Sequence, residues 1–118
     1  MMLKNYTELK VWQKSHVFVL EIYKETKNFP RDEKFALVSQ IRRAAVSIPA
    51  NIAEGYGRKH TKEYVQMLYI AQGSLEETKY HLLLSKDLGY LNTATYGLLF
   101  EQSEEIGRML RGLINSLT

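Results

Sequence analysis

Apolar residues recur at steps of three and four along four successive stretches of the chain, and the breaks between them coincide with proline, glycine and capping residues. The second stretch is the most regular. Val38, Ile41, Ala45, Ile48 and Ile52 form one helical seam, and a polar row of Gln40, Arg43, Ser47, Asn51 and Glu54 runs beside it. Ser47 and Asn51 are short and uncharged, as expected where a neighbouring helix covers them and their hydrogen bonds are made locally. Pro49 cannot donate to the carbonyl of Ala45, so a kink or a brief break is expected near residues 45–49.

The other three stretches read in the same way. In the first, about 8–28, Leu9, Trp12, His16, Val19, Tyr23 and Thr26 form one seam. Val11, Ser15, Phe18, Ile22 and Phe29 form another, with Val17 and Leu20 outside both. A helix apolar on more than one stripe has more to bury than one groove of a small bundle can hide, so self-association through helix one is expected. Phe29-Pro30 ends it, and Asp32, with Glu33 in the first turn, is the expected cap of helix two at about 33–55. Either Gly55 or Gly57 is expected to close helix two in the left-handed region.

Helix three, about 61–88, carries Tyr64, Leu68, Ala71, Leu75, Thr78, Leu82 and Ser85 in unbroken register. The small residues Ala71, Gly73, Ser74 and Thr78 predict a close neighbour, and Gly89 a left-handed C-terminal cap. Asn92 caps helix four, about 93–116, with Leu91 and Tyr96 as a hydrophobic staple. Its heptad is Tyr96, Leu99, Ser103, Ile106, Leu110, Leu113 and Leu117. A polar lead, Met1 to Thr7, precedes all four. Long helices joined by short turns predict an all-α chain: one antiparallel up-down four-helix bundle over residues 1–118, its second helix kinked at proline.

The segment from Gln40 to Arg58, with its core RRAAVSIPANIAEGYGR, is the most specific signal in the chain. Together with VWQKSHVFVLEIY upstream and GSLEETKYHLLLSKDLGYL downstream, it resembles the four-helix-bundle family of 23S rRNA intervening-sequence proteins. That family is similar in fold to the accessory proteins of diversity-generating retroelements. The resemblance covers about Tyr6 to Leu117, and departs from the family pattern at Gln72 and near Lys79. It implies a barrel-like homopentamer without established enzymatic activity, nucleic-acid binding in some members, and a reverse-transcriptase-like protein as a partner. Within this chain it marks Ser47, Pro49, Asn51, Glu54 and Gly55 as the structural signature.

Charge adds one asymmetry. The net charge is +3, but residues 31–62 hold seven Lys or Arg against three acids, whereas residues 63–118 hold four against seven. This admits two readings: a one-sided surface for a polyanion, or two halves of a bundle that attract each other. On the first, Arg42, Arg43, Arg58, Lys59 and Lys62, with His60 and Tyr56 nearby, contact phosphates of RNA or DNA, the aromatic stacking on an unpaired base. On the second, Arg42 and Arg43 pair with helix-four acids such as Glu101, Glu104 or Glu105.

Candidate chemistry is sparse. Glu77 and His81 are the one His–carboxylate pair at helical metal-site spacing, too few ligands for a metal, and no metal or other cofactor is expected. Gly55-Tyr56-Gly57-Arg58-Lys59 opens onto a helix but lacks the phosphate-loop pattern, and no strand is predicted before it. Glu54, the carboxylate at the end of the signature, has Arg58 four residues on, so a helix-exit ion pair is preferred to a catalytic role. The chain is read as no enzyme; Glu54 joined by neighbouring copies is the remaining catalytic alternative. Absence of cysteine excludes disulfides and thiolate metal sites. The longest apolar run, Val17 to Leu20, is far short of the roughly 20 residues a membrane span needs. No export signal is read at the N-terminus, and a cytoplasmic protein is expected.

Overall fold

In a computed structural model, residues 4–118 are described; Met1 to Leu3 of the polar lead lie outside the described residues. The chain forms α1 (Lys10–Thr26), α2 (Leu37–Tyr56), α3 (Thr61–Asp87) and α4 (Thr93–Leu117), with single 3-10 turns at Tyr6–Glu8 and Arg31–Glu33. No strand occurs among the described residues. α1 packs on α2 and α4, α3 packs on α2 and α4, and the α2–α3 pair is the most intimate. Across that pair Ser47 meets Ser74, while Gly55 lies against Tyr64 and Met67.

The expected seams are the core. Ile41, Ala45, Ile48 and Ile52 of α2 and Leu68, Ala71, Leu75 and Leu82 of α3 are buried, joined by Phe18 and Ile22 of α1 and by Leu99, Ile106 and Leu110 of α4. In α1 the Val11–Ser15–Phe18–Ile22 seam faces inward and Phe29 continues it; of the other seam Val19 and Thr26 are buried and Leu9 and Trp12 half-buried, while His16 and Tyr23 are exposed. At the end of α4, Ile114 is buried and Leu113 and Leu117 are only half-buried, so the heptad expected for its last turns is displaced by one residue. The small polar residues inside are satisfied within their own helices. Ser15, Thr26, Thr78 and Ser85 each donate to the carbonyl four residues back, and Ser103 donates to that of Phe100.

Several boundaries differ from expectation. The first α-helix begins at Lys10, after a 3-10 turn capped by Asn5, and ends at Thr26. Asp32 does not cap α2. The chain instead makes the 3-10 turn Arg31–Glu33, and α2 starts at Leu37 behind Ala36, which has no capping side chain. Glu33 supplies the acceptor: its carboxylate takes the Leu37 N–H at 3.3 Å and, on the other oxygen, the Tyr90 hydroxyl at 2.9 Å. α2 is helical throughout Leu37–Tyr56, with Pro49 buried inside it. Neither Gly55 nor Gly57 is left-handed; Gly57 follows α2 with φ −80°, and its N–H still reaches the last carbonyls of the helix. Gly89 does adopt φ +83°, and the amides of Gly89 and Tyr90 close α3 on the carbonyls of Lys86 and Ser85. Asn92 caps α4 through the Thr95 N–H at 2.7 Å.

α3 and α4 are also linked by charge. The Lys79 ammonium sits 3.0 Å from Glu104 and 3.3 Å from Glu76. Burial pushes the Lys79 pKa down, but the hydrogen bonds to Glu104 and Glu76 outweigh it and the net shift is upward. Glu104 is held below its ordinary value of 4.5, first by the hydrogen bond from Lys79 and then by its charge. A carboxyl lowered in the folded state stabilises it above the ordinary pKa, and that contribution disappears as pH falls through the folded value. Thermal melts of the wild type and Glu104→Gln are therefore expected to differ at neutral pH and to converge in acid well below pH 4.5. A difference that persists there would mean the pair contributes through packing alone.

Candidate nucleic-acid interface

The five basic residues singled out in the sequence divide into two kinds. Arg42 is committed inside the fold: its Nε donates to Thr26 Oγ1 at 2.9 Å, its Nη2 to the Tyr23 carbonyl at 3.3 Å, and its guanidinium lies 4.4 Å from the Tyr23 ring centre. A cation thus closes the C-terminal end of α1, where unpaired carbonyls and the helix dipole favour one. Neither Arg42 nor Arg43 pairs with the expected acids on α4: Glu104 is taken by Lys79 and Glu105 by Lys14 at 3.2 Å, and Glu101 makes no ion pair among the described residues. Arg58 is committed too, at 2.7 Å from Glu54 and 3.9 Å from Glu63, so it ties the exit of α2 to the first turn of α3.

Arg43, Lys59 and Lys62 are exposed and make no ion pair among the described residues. Arg43 lies on α2, Lys59 in the α2–α3 turn and Lys62 in the first turn of α3. Arg43 and the end of α2 at Tyr56, just before the turn that carries Lys59, are separated by about 20 Å at 1.5 Å per residue, so the structure sets one cation apart from a cluster at the turn. At that turn His60 precedes α3 without a capping bond from its side chain, and His60, Lys62, Glu63 and Gln66 line a shallow depression. Tyr56 is half-buried, edge-on to Tyr64 with ring centres 6.1 Å apart. Burial, with a smaller effect of Tyr56, raises the Tyr64 pKa.

The signature residues form a packing device beside these cations. Ser47 Oγ and Ser74 Oγ are 2.8 Å apart across α2 and α3, and Asn51 Nδ2 donates to the Ser47 carbonyl at 2.7 Å and to its Oγ at 2.8 Å. This chain of short polar groups crosses the helix pair with its bonds made locally, as the polar row predicts. Gly55 marks the closest approach: a Cβ there would stand 2.9 Å from Met67 Cβ and 3.0 Å from Tyr64 Cδ1. Among the small α3 residues, Ser74 meets α2 at Ser47, whereas Gly73 would carry a Cβ into open space. Glu54 is exposed and its carboxylate is occupied by Arg58, which is the helix-exit pair read from the spacing.

A model of the 23S rRNA-intervening sequence protein family matches residues 7–112. The chain belongs to that family. Among solved structures, it is similar to a protein with unknown function from the S23 ribosomal protein family of Bacteroides thetaiotaomicron VPI-5482. The two are 30% identical, with a TM-score of 0.83 over 89% of this chain and 95% of that one. No curated protein matched. The signature therefore sits in a family fold, where Ser47, Asn51 and Gly55 join α2 to α3. No group of three or more His, Cys, Asp or Glu suited to a metal occurs among the described residues; Glu77 and His81 stand alone as a pair at 3.1 Å. No helix among the described residues is long and apolar enough to cross a membrane.

The partners of Arg42 were not legible in the sequence, because they depend on the register between α1 and α2. For Arg58 the i, i+4 spacing to Glu54 was a sufficient signal.

Proposed function

We infer that this protein is a non-enzymatic, self-associating helical-bundle module that binds structured RNA or DNA through its α2–α3 side. The observation that carries the reading is the set of exposed cations, Arg43, Lys59 and Lys62, left without acidic partners while Arg42 and Arg58 serve the fold. Lysine and arginine in that state are free to neutralise phosphates and release counterions, which makes affinity fall with salt. The +4 charge of residues 31–62 supports the same side. Self-association is supported by apolar residues of α1 and α4 left in water, and five copies is the subunit number implied by the resemblance to the family.

Labelled structured RNA and duplex DNA titrated over a salt series test this reading. The wild type is expected to bind with a clear salt slope. For the duplex, the slope is expected to fall by about 0.9 for each phosphate that the Arg43→Ala, Lys59→Ala, Lys62→Ala triple variant no longer neutralises. Because none of the three holds another part of the fold, the variant is expected to keep its melting temperature and assembly mass. Absence of binding by the folded wild type, or an unchanged slope in the variant, overturns nucleic-acid binding. A protein–protein adaptor then becomes the better reading, favoured by Tyr69, Ile70, Tyr80 and Leu83, which stand exposed along α3.

A further inference from the structure

The outer face of α3 carries a second pattern beside its buried seam. Lys62, Gln66, Tyr69, Gly73 and Tyr80 follow one another at helical spacing, so they form one line on the side of α3 turned away from buried Leu68, Leu75 and Leu82. Tyr69 and Tyr80 stand in water, with 55% and 59% of their surface exposed. They are about 16 Å apart along the helix axis, and Lys62 lies about 10 Å before Tyr69. Between the two rings Gly73 leaves the helix bare, since a Cβ there would meet nothing within 4 Å. No ring stacks on Tyr69 among the described residues, and Tyr80 meets the ring of His81 alone, tilted and with centres 5.9 Å apart.

The acids of α3 are already matched by bases. Glu63 faces Arg58 at 3.9 Å, Glu76 faces Lys79 at 3.3 Å, Glu77 is 3.1 Å from the His81 ring and Asp87 faces Lys86 at 3.9 Å. Lys59 and Lys62 make no ion pair among the described residues, so the unmatched charge at the head of the line is positive. The geometry points to an unpaired stretch of RNA or DNA as the ligand of this face: its bases stack on Tyr69 and Tyr80, and Lys59 and Lys62 take phosphates of the same strand. This rests on the nucleic-acid binding proposed above and names the form of the ligand and the residues that hold its bases.

Cations alone hold single strands and duplexes alike, because both present phosphates. Exposed aromatic rings in line with the cations favour the strand. A duplex hides the faces of its bases in its own stack, whereas every unpaired base offers a π face, whatever its sequence. Tyrosine is suited to this, since its large rigid ring has two side-chain torsions and loses little freedom when a base covers it. A protein partner would also cover the tyrosines, but lysine is depleted where proteins meet, and a phosphodiester strand matches the rings and the free lysines together.

Fluorescence anisotropy on the full chain tests this with a labelled, unstructured strand of about 12 nucleotides, as RNA and as DNA, and with the corresponding duplex. Tyr69→Ala and Tyr80→Ala, both at exposed positions, are each expected to weaken strand binding by about 5- to 150-fold and to leave duplex binding unchanged. Tyr69→Phe and Tyr80→Phe keep the ring and are expected to bind the strand as the wild type does. Circular dichroism and sedimentation velocity verify the fold and assembly mass of each variant. A strand carrying abasic sites throughout is expected to bind the wild type weakly, and this arm decides the matter should an alanine variant unfold. Binding in the RNA or the DNA arm supports the stacking line, and the tighter of the two names the sugar. Equal affinity of the wild type for the normal and abasic strands, or of folded alanine variants and wild type for the normal strand, overturns it. Binding of the duplex alone also overturns it and leaves the proposed phosphate contacts standing, whereas no binding of either form overturns both. Folded alanine variants that lose assembly mass would place the tyrosines in a contact between proteins and overturn the line as well.

Discussion

Replacing Gly55 with alanine is expected to destabilise the protein by about 1–3 kcal/mol, the usual cost of overpacking a tight helix crossing. In an open helical position the same change gains about 1 kcal/mol through helix propensity, so the sign of the effect reports how closely the helices approach. The new Cβ would meet Met67 Cβ at 2.9 Å, Tyr64 Cδ1 at 3.0 Å and the Tyr64 carbonyl oxygen at 3.3 Å. Met67 Cβ and the carbonyl are fixed by the α3 backbone, so relief requires the two helices to part, and with them Ser47 and Ser74. Gly73→Ala provides the comparison: its Cβ meets nothing within 4 Å, and the substitution is expected to raise stability by about 0.5–1 kcal/mol. Urea or thermal unfolding of both variants at one protein concentration checks the pair. A stabilised Gly55→Ala would show that α2 and α3 pack less closely there.

Phe18→Ala is expected to cost more, about 3–5 kcal/mol, because the ring is 1% exposed and its removal leaves a cavity that the packed helices only partly collapse into. Against a total stability of about 5–15 kcal/mol for a domain, this is a large fraction, and a fall in melting temperature of roughly 12–25 °C is expected. Val17→Ala, one residue earlier but half in water, is expected to change the stability of the isolated fold by about 0.5 kcal/mol or less. Since self-association adds apparent stability by mass action, both are compared at the same concentration. A loss below about 1 kcal/mol for Phe18→Ala would contradict its place at the centre of the core.

Helix three was the most legible part of the chain. Its seven seam residues, Tyr64 through Ser85, are all buried or half-buried in the structure, because a period of 3.6 leaves a regular apolar stripe one way to face inward. Helix one was harder, since two stripes competed: the one containing Phe18 is buried throughout, while the other is split, Val19 and Thr26 buried and His16 and Tyr23 exposed. At the candidate interface, Glu54–Arg58 was readable as a local pair, whereas the split between committed and free cations was not. Arg42 and Arg43 are adjacent and chemically identical, yet successive helical residues point about 100° apart, so one reaches Thr26 and Tyr23 and the other water.

Sequence alone determined the four helices, most of their buried seams, the Gly89 and Asn92 caps, and membership of a family recognisable from the RRAAVSIPANIAEGYGR segment. These follow from interactions within a few residues of each other, which periodicity and capping rules describe directly. Tertiary structure decided the late start of α2 at Leu37, where Glu33 is held by Tyr90 from the far end of α3. It also decided the partners of Arg42 and Lys79, the close approach at Gly55, and the exposure of Phe35. Each of these joins groups on different helices, and their distances are set by the register in which the packed cores interlock rather than by any local rule.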